Sequence, residues 1–362
     1  MEKTIKTNKK EVLVLGGTGA MGNYLVKILA SKGYFCTVTS RKKKQDCDNI
    51  KYLEGNAMSV DFLYPLLENK KWEAIIDFMA YNTAQLSSRL EKLLASTSQY
   101  VFLSSARVYA KSNHPLTEDS DRLLDVCTDK EYLTTDEYAL AKARQENLLY
   151  GSKCNNWTII RPYITFSDYR LQLSALEKEY WLYRALRDRK IVISHDLMDK
   201  HTTFTYGYDV AQGIAAIIGE KEALGEAFHI TSNTSYTWGE ILGMYVDIIK
   251  KKTGGEPQIY WTSSWKSFYG GGMYQVKYDR LYDRVFDNSK IGKFIDVTQF
   301  SNVREALAKC VDNFLQKPNF LYHDWRSEAQ KDKMTGDWAK FSEIKSYEQK
   351  LRYFLIRTGI IK

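Results

Sequence analysis

Residues 11–41, EVLVLGGTGAMGNYLVKILASKGYFCTVTSR, constrain the fold more than any other stretch of the chain. An apolar run, a glycine turn, an amphipathic segment closed by Gly33 and a second apolar run read as strand, turn, helix and strand. That is a complete βαβ unit. Two parallel strands joined by a crossover helix need cover on both faces, which commits the chain to an α/β architecture.

The alternation continues. IKYLEGN reads as a strand, SVDFLYPLLENKK as a helix, WEAIIDFMAY as a buried strand, AQLSSRLEKLLAST as a helix and QYVFLSSARVY as a strand through Tyr109. After a polar stretch come another helix, TTDEYALAKARQENLL, and a sixth strand, WTIIRPYITF. The expected fold is a Rossmann-type, doubly wound parallel sheet with a smaller, mixed C-terminal region. A nucleotide-binding domain spans 1–162, and 202–219 return to it because TTFTYGYDVAQGIAAIIG has the pattern of an element covering the sheet. Residues 163–362 are otherwise a substrate-binding region. DYRLQLSALEKEYWLYRALRDRK is expected to be a long helical segment, TWGEILGMYVDIIKKKTGG a helix closed by glycines, and the tail beyond Lys317 helical and packed.

Composition narrows the setting. With 44% apolar and 27% charged residues among 362, and five prolines, the chain is of ordinary globular make-up rather than disordered. The lysine-rich start precedes an apolar run too short for a signal peptide or a membrane span, so a cytoplasmic protein with no membrane partner is expected. Cys36, Cys47, Cys127, Cys154 and Cys310 are odd in number and have no Cys-x-x-Cys spacing, and His195 and His201 are isolated; neither a disulfide framework nor a metal site is expected. A net charge of +8 admits phosphorylated small molecules or nucleic acid without choosing between them.

Gly16, Gly19 and Gly22 sit between the first strand and helix in a G-x-x-G-x-x-G pattern. The first allows a tight turn, the second lets backbone N–H groups of the turn, including Ala20 and Met21, approach a pyrophosphate, and the third lets helix and strand pack closely. An acidic residue at the end of the second strand would bind the ribose hydroxyls of NAD. Here that place reads TSRKKK, and Ser40 and Arg41 can instead receive a 2′-phosphate. NADP(H) is therefore favoured, with NAD(H) the alternative, and Lys43 and Lys44 are read as solvated.

In TTDEYALAKARQENLL, Thr135 or Asp136 can cap a helix that carries Tyr138 and Lys142 on one face. Of 26 tyrosines only Tyr138 has a lysine four residues on. In chain order LGGTGAMG, VFLSSARVY, PLTEDS, YALAK and IIRPY resemble the extended short-chain dehydrogenase/reductase family, in particular its epimerases, dehydratases and reductases of nucleotide sugars. The resemblance runs from about Glu11 to Gly219.

The resemblance implies that Tyr138 is the acid/base, Lys142 its partner and a cofactor contact, and Ser105 the serine that aligns the substrate oxygen. An ordinary tyrosine, with a pKa of about 10, needs a drop of about three units, about 4 kcal/mol, to be half ionised at neutral pH; a neighbouring cation can supply it. Met79 and Ala80 fall where the family lines its cofactor groove, and Asp77 serves either that groove or a turn. Arg161 is read as an anchor of the sheet edge.

Two departures narrow the reaction. The 4,6-dehydratases of the family carry an Asp-Glu pair after the catalytic threonine, and Ala106 and Arg107 stand there instead, which speaks against that chemistry. An asparagine that helps hold the substrate diphosphate is replaced by Ile164, so the site is either rebuilt, with Arg107, Arg170 or His201 as candidates, or suited to another substrate. The expectation is an oxidoreductase acting at a sugar keto or hydroxyl carbon, C4 by preference; a 4-epimerase retaining NAD is the first alternative. The second is a non-catalytic dinucleotide sensor or RNA binder, disfavoured because such relatives commonly lose the tyrosine and lysine. The family also implies a homodimer formed through two helices of the nucleotide domain, one of them bearing Tyr138.

Overall fold

The computed structural model describes residues 10–267, 273–321 and 323–361. Contacts divide the chain into two compact units. The first takes in the chain up to Ser167, Thr203–Thr234 and Val285–Val303.

Its centre is a sheet of seven strands: β1 Glu11–Leu15, β2 Phe35–Ser40, β3 Ile50–Glu54, β4 Trp72–Asp77, β5 Thr97–Leu103, β6 Trp157–Pro162 and β7 Glu226–Ile230. Every pairing is parallel, in the order β7-β6-β5-β4-β1-β2-β3. The doubly wound sheet expected from the alternation is present, and β7 is an addition to it. Helices α1 Gly22–Ser31, α2 Val60–Glu68, α3 Thr83–Ser87, α4 Leu90–Ala95, α5 Tyr138–Tyr150 and α6 Gly207–Ile217 flank the strands.

Alternation along β1 explains the layering, since successive side chains of a strand point to opposite faces. Val12 and Val14 join Leu25, Val26, Leu29, Val210 and Ile214 from α1 and α6 in one core. Leu13 and Leu15 join Leu63, Leu67, Leu93 and Leu149 from α2, α4 and α5 in the other. Burial of both faces is what makes β1 continuously apolar. Helix α6 packs on the face of the sheet that carries Val12 and Val14.

Several expectations change in detail. The strand expected to run through Tyr109 ends at Leu103, and Ala106–Val108 form a 3-10 turn with Ser105 at its head. The helix read from AQLSSRLEKLLAST is two helices, α3 and α4, divided at Arg89. There Arg89 turns its side chain inward to the Met58 carbonyl and the Tyr81 ring.

A buried charge network fixes α5 to the sheet. Glu146 is fully buried; it accepts from Arg161 through both oxygens at 2.9 Å, from Ser104 at 2.5 Å and from Arg122 at 3.3 Å. Arg161 also donates to Tyr109, Tyr150 and the Glu118 carbonyl; it is an anchor, but on an interior strand rather than at the sheet edge, since β7 pairs outside β6.

The second unit comprises Asp168–Thr202, Ser235–Arg284 and the chain from Arg304 onward. It holds α7 Trp238–Thr253, α8 Trp325–Thr335 and α9 Tyr347–Thr358. Helix α7 is closed by Gly254 at φ +77°, as the glycines after it predict. The long helix expected over residues 168–190 is absent: only Leu182–Ala185 are α-helical there. Leu173 and Leu176 exchange two backbone hydrogen bonds of 2.8 Å around Ser174, which has φ +52°. A right-handed helix cannot pass through that conformation. Leu171, Leu173, Leu176, Trp181 and Leu182 are buried around an irregular chain instead, with the Trp181 indole donating to the Leu171 carbonyl. The tail is helical as expected, and its Glu328 and Asp332 are buried against Arg184 and Arg189. No helix of the described residues is long and apolar enough to cross a membrane.

Removing one member of a buried ion pair leaves the other uncompensated, at a cost of about 3–5 kcal/mol. Glu146→Ala is therefore expected to lower unfolding stability by that amount in urea denaturation, and Glu146→Gln, which keeps the shape and part of the hydrogen bonding, by less.

Candidate active site

The strand order reverses beside β1: the chain passes from β1 to β2 and β3 on one side, and from β4 to β7 on the other. Ligands of such sheets bind at the carboxyl ends of the strands at this point. Gly16 follows β1 with φ +69°, a conformation that favours glycine, and its N–H donates to Thr39 Oγ1 at 3.0 Å. A Cβ on Gly16 would stand 2.9 Å from Met79 Sδ, so the turns after β1 and β4 abut. A Cβ on Gly22 would lie 2.7 Å from the Gly17 backbone, which accounts for the third glycine of the pattern.

At Gly19 a Cβ would meet nothing within 4 Å. The N–H groups of Gly19, Ala20 and Met21 have no acceptor among the described residues. Unpaired donors at the head of a ten-residue helix, beside open space, fit an anionic pyrophosphate. The doublet partner Gly17 was not singled out in the sequence, although a Cβ there would press to 2.5 Å from Val14.

At the end of β2, the Ser40 hydroxyl donates to the Lys42 carbonyl at 2.8 Å and accepts its N–H, closing a local turn. Arg41 and Lys42–Lys44 are exposed. Of the two residues expected to receive a 2′-phosphate, Arg41 is thus the one whose side chain has no partner among the described residues.

Tyr138 opens α5, with 44% of its surface exposed, while Lys142, one turn on, is buried. The cap is neither Thr135 nor Asp136 but Glu137, whose side chain accepts the Ala139 N–H at 2.9 Å. Thr135 instead donates to the Tyr132 carbonyl, and Asp136 accepts from Thr83 and Arg144. Nothing in the sequence marks Glu137, because glutamate is not a favoured capping residue.

Lys142 Nζ donates to the Leu103 carbonyl at 2.7 Å, at the end of β5, and lies 4.5 Å from the centre of the Phe102 ring and 6.0 Å from that of Tyr138. Burial pushes its pKa down to about 8, against the opposing pull of the Asp77 and Glu146 carboxylates. Asp77 accepts from the Met79 N–H and the Tyr100 hydroxyl, both at 2.9 Å. Burial pushes it up to about 6, opposed by those hydrogen bonds and by Lys142. Asp77, itself buried, thus holds the turn of Met79 and Ala80, the turn role of the two alternatives, and adds negative charge under Lys142.

Of two consecutive serines, Ser104 is spent on Glu146, whereas Ser105 only accepts the Arg107 N–H at 3.2 Å. Its own O–H has no acceptor among the described residues. Two ties therefore bring the Ser105 segment and the head of α5 together: Lys142 to Leu103, and Arg107 to Glu137 at 2.5 Å. Arg170 and His201 belong to the second unit. There Arg170 pairs with Glu177, and the His201 backbone is held by Asp283 and Arg284.

The model of the NAD dependent epimerase/dehydratase family matches residues 12–231, more than half of the chain. The chain belongs to that family. A chloroplast stem-loop binding protein of 41 kDa from Arabidopsis thaliana is 25% identical over 247 residues, 64% of this chain and 61% of that protein. The chain thus spans about three fifths of that relative's length. Among solved structures, the Bordetella bronchiseptica enzyme WbmH in complex with NAD+ aligns with a TM-score of 0.66 at 15% identity, covering 85% of this chain and 99% of the other. The UDP-glucuronic acid 4-epimerase of Bacillus cereus, solved with UDP-glucuronic acid and NAD, gives 0.65 at 16%, covering 84% and 99%. The family member shares with them the extended short-chain dehydrogenase/reductase fold.

A folded-state pKa of about 8 for Lys142 lies below its ordinary 10.5, so the fold bears the cost of a buried ammonium at neutral pH. The cost is fully present below pH 8 and vanishes as pH rises through 10.5. The stability difference between Lys142→Met and the parent is expected to shift in favour of the parent by an amount on the order of 3 kcal/mol between those limits. Denaturant titrations of both proteins across this pH range measure it.

Proposed function

We propose that this family member is a nicotinamide-dinucleotide-dependent oxidoreductase of nucleotide sugars, acting at a keto or hydroxyl carbon, C4 by preference. The observation that carries the reading is the juxtaposition of an exposed Tyr138, a buried Lys142 and an unspent Ser105 hydroxyl around the joint of β5 and α5. The unpaired N–H groups of Gly19, Ala20 and Met21 hold the pyrophosphate in this reading, and Lys142, Met79 and Ala80 line the rest of the cofactor groove. That the Bacillus cereus and Bordetella structures hold NAD supports this class of cofactor.

When bound, the nicotinamide supplies or accepts the hydride. Ser105 donates to the substrate oxygen and orients it. Tyr138 gives a proton to that oxygen in reduction, or takes one in oxidation. Lys142 keeps positive charge beside Tyr138 in the range where the proton must move, because Asp77 and Glu146 oppose its loss of charge. Arg41, exposed and unaccompanied by a carboxylate at the end of β2, carries a preference for NADP(H).

A 4-epimerase is the second reading, favoured by the Bacillus cereus neighbour. An epimerase oxidises and re-reduces the same carbon, so it turns over without net change in dinucleotide absorbance; a reductase consumes NADPH in proportion to product. Purified protein that binds RNA but neither NAD nor NADP would defeat both readings.

Tyr138→Phe is expected to lower turnover by about 10²–10⁴-fold, the usual contribution of a positioned acid/base, with dinucleotide affinity retained; full activity in this variant would sink the assignment. Arg41→Ala is expected to weaken NADPH binding about tenfold, the loss of one charge-assisted phosphate contact, and to leave NADH within twofold in fluorescence titrations.

A further inference from the structure

Arg107 keeps a buried donor with no partner among the described residues. Its backbone N–H goes to Ser105, and its Nη2 goes to Glu137. Glu137 is itself fully engaged, taking the Tyr132 hydroxyl at 3.0 Å and the Ala139 N–H at 2.9 Å on its other oxygen. The guanidinium is therefore held in one place, 5.3 Å from the centre of the Tyr138 ring. Its Nε is buried and has no hydrogen-bond partner among the described residues.

A purely structural role, tying the Ser105 turn to the head of α5, needs only the bond to Glu137. It leaves Nε–H desolvated and unsatisfied, a cost the free protein bears. A ligand oxygen at this position removes that cost, and an anionic oxygen gains most, because charge-assisted bonds are about twice as strong as neutral ones. Glu137 is no obstacle to a second anion. A guanidinium has five N–H donors, and Arg184 of this same chain serves Glu328, Asp332 and Asp337 together.

We propose that Arg107 binds a carboxylate of the substrate beside the reacting carbon, so that the substrate class is a nucleotide-linked sugar acid. The inference rests on the oxidoreductase reading of this site and specifies its substrate. Tyr138, Ser105 and Arg107 then surround one end of the sugar: the first two address the oxygen on the reacting carbon, the third the neighbouring acid group.

Calorimetric binding of UDP-glucuronic acid and of UDP-glucose, at saturating NAD, tests it, because the two ligands differ only in the carboxylate. The parent protein is expected to bind the acid at least about tenfold more tightly, the worth of one charged hydrogen bond. Arg107→Ala is expected to abolish this preference and leave UDP-glucose affinity within about twofold. Arg107→Lys retains the charge but lacks the Nε–H, and is expected to lose at least about threefold of the preference; it carries the test should the alanine variant fail to fold. A parent protein that binds both ligands equally, or an Arg107 variant that stays folded and weakens both alike, overturns the sugar-acid assignment while leaving the nucleotide-sugar reading intact. Binding of NAD without either sugar nucleotide overturns both.

Discussion

Glu146 is a carboxylate with no access to water, and the first unit is arranged around satisfying it. A buried charge is tolerable only when it is paired and hydrogen-bonded. Arg161 reaches it from β6, Ser104 from the end of β5 and Arg122 from the polar connection before α5. Three separate parts of the chain thus converge on one helix at one register. Lys142 lies one turn before Glu146 on α5, and its bond to the Leu103 carbonyl uses the same joint. Tyr138 is then set by the helix itself, one further turn toward its head. The position of the proposed acid/base is a consequence of a salt bridge two turns away.

The dinucleotide groove depends on a different constraint, the lack of room. Gly22 packs on Gly17 with no space for a Cβ, and Gly16 takes a left-handed conformation against Met79. Close packing there leaves the N–H groups at the head of α1 facing open space at Gly19. The N-terminus of α6 also rests on this turn, where a Cβ on Gly207 would stand 2.7 Å from the Ala20 carbonyl. Gly207 gives no such signal in the sequence, since its neighbour in space is almost two hundred residues away.

Local regularity made most of the fold legible. The strands of the sheet up to Pro162 are apolar runs between turns; α1, α2 and α7 carry clear periodicity, and α1 and α7 are followed by glycine stops. Where local pattern conflicted with tertiary demands, the reading failed. Residues 168–181 carry apolar and aromatic residues spaced as in a helix, yet Leu171, Leu173, Leu176 and Trp181 are buried around a chain that reverses at Ser174. The cap of α5 failed for a related reason: Thr135 and Asp136 have the better capping chemistry, but both are drawn away by partners outside the helix, Asp136 by Thr83 across 53 residues.

By itself the sequence determined the doubly wound architecture, the glycine turn and the Tyr138/Lys142 helix, because each is written in residues close together in the chain. Only the tertiary structure decided that Ser104 is consumed while the Ser105 O–H has no acceptor among the described residues, that Lys142 is buried with Asp77 and Glu146 for company, and that Arg107 is clamped beside Tyr138 with its buried Nε lacking a partner among them. Those outcomes depend on which polar groups find partners across long separations, and burial sets the cost of every group that does not. Neither quantity can be read from a linear order of residues.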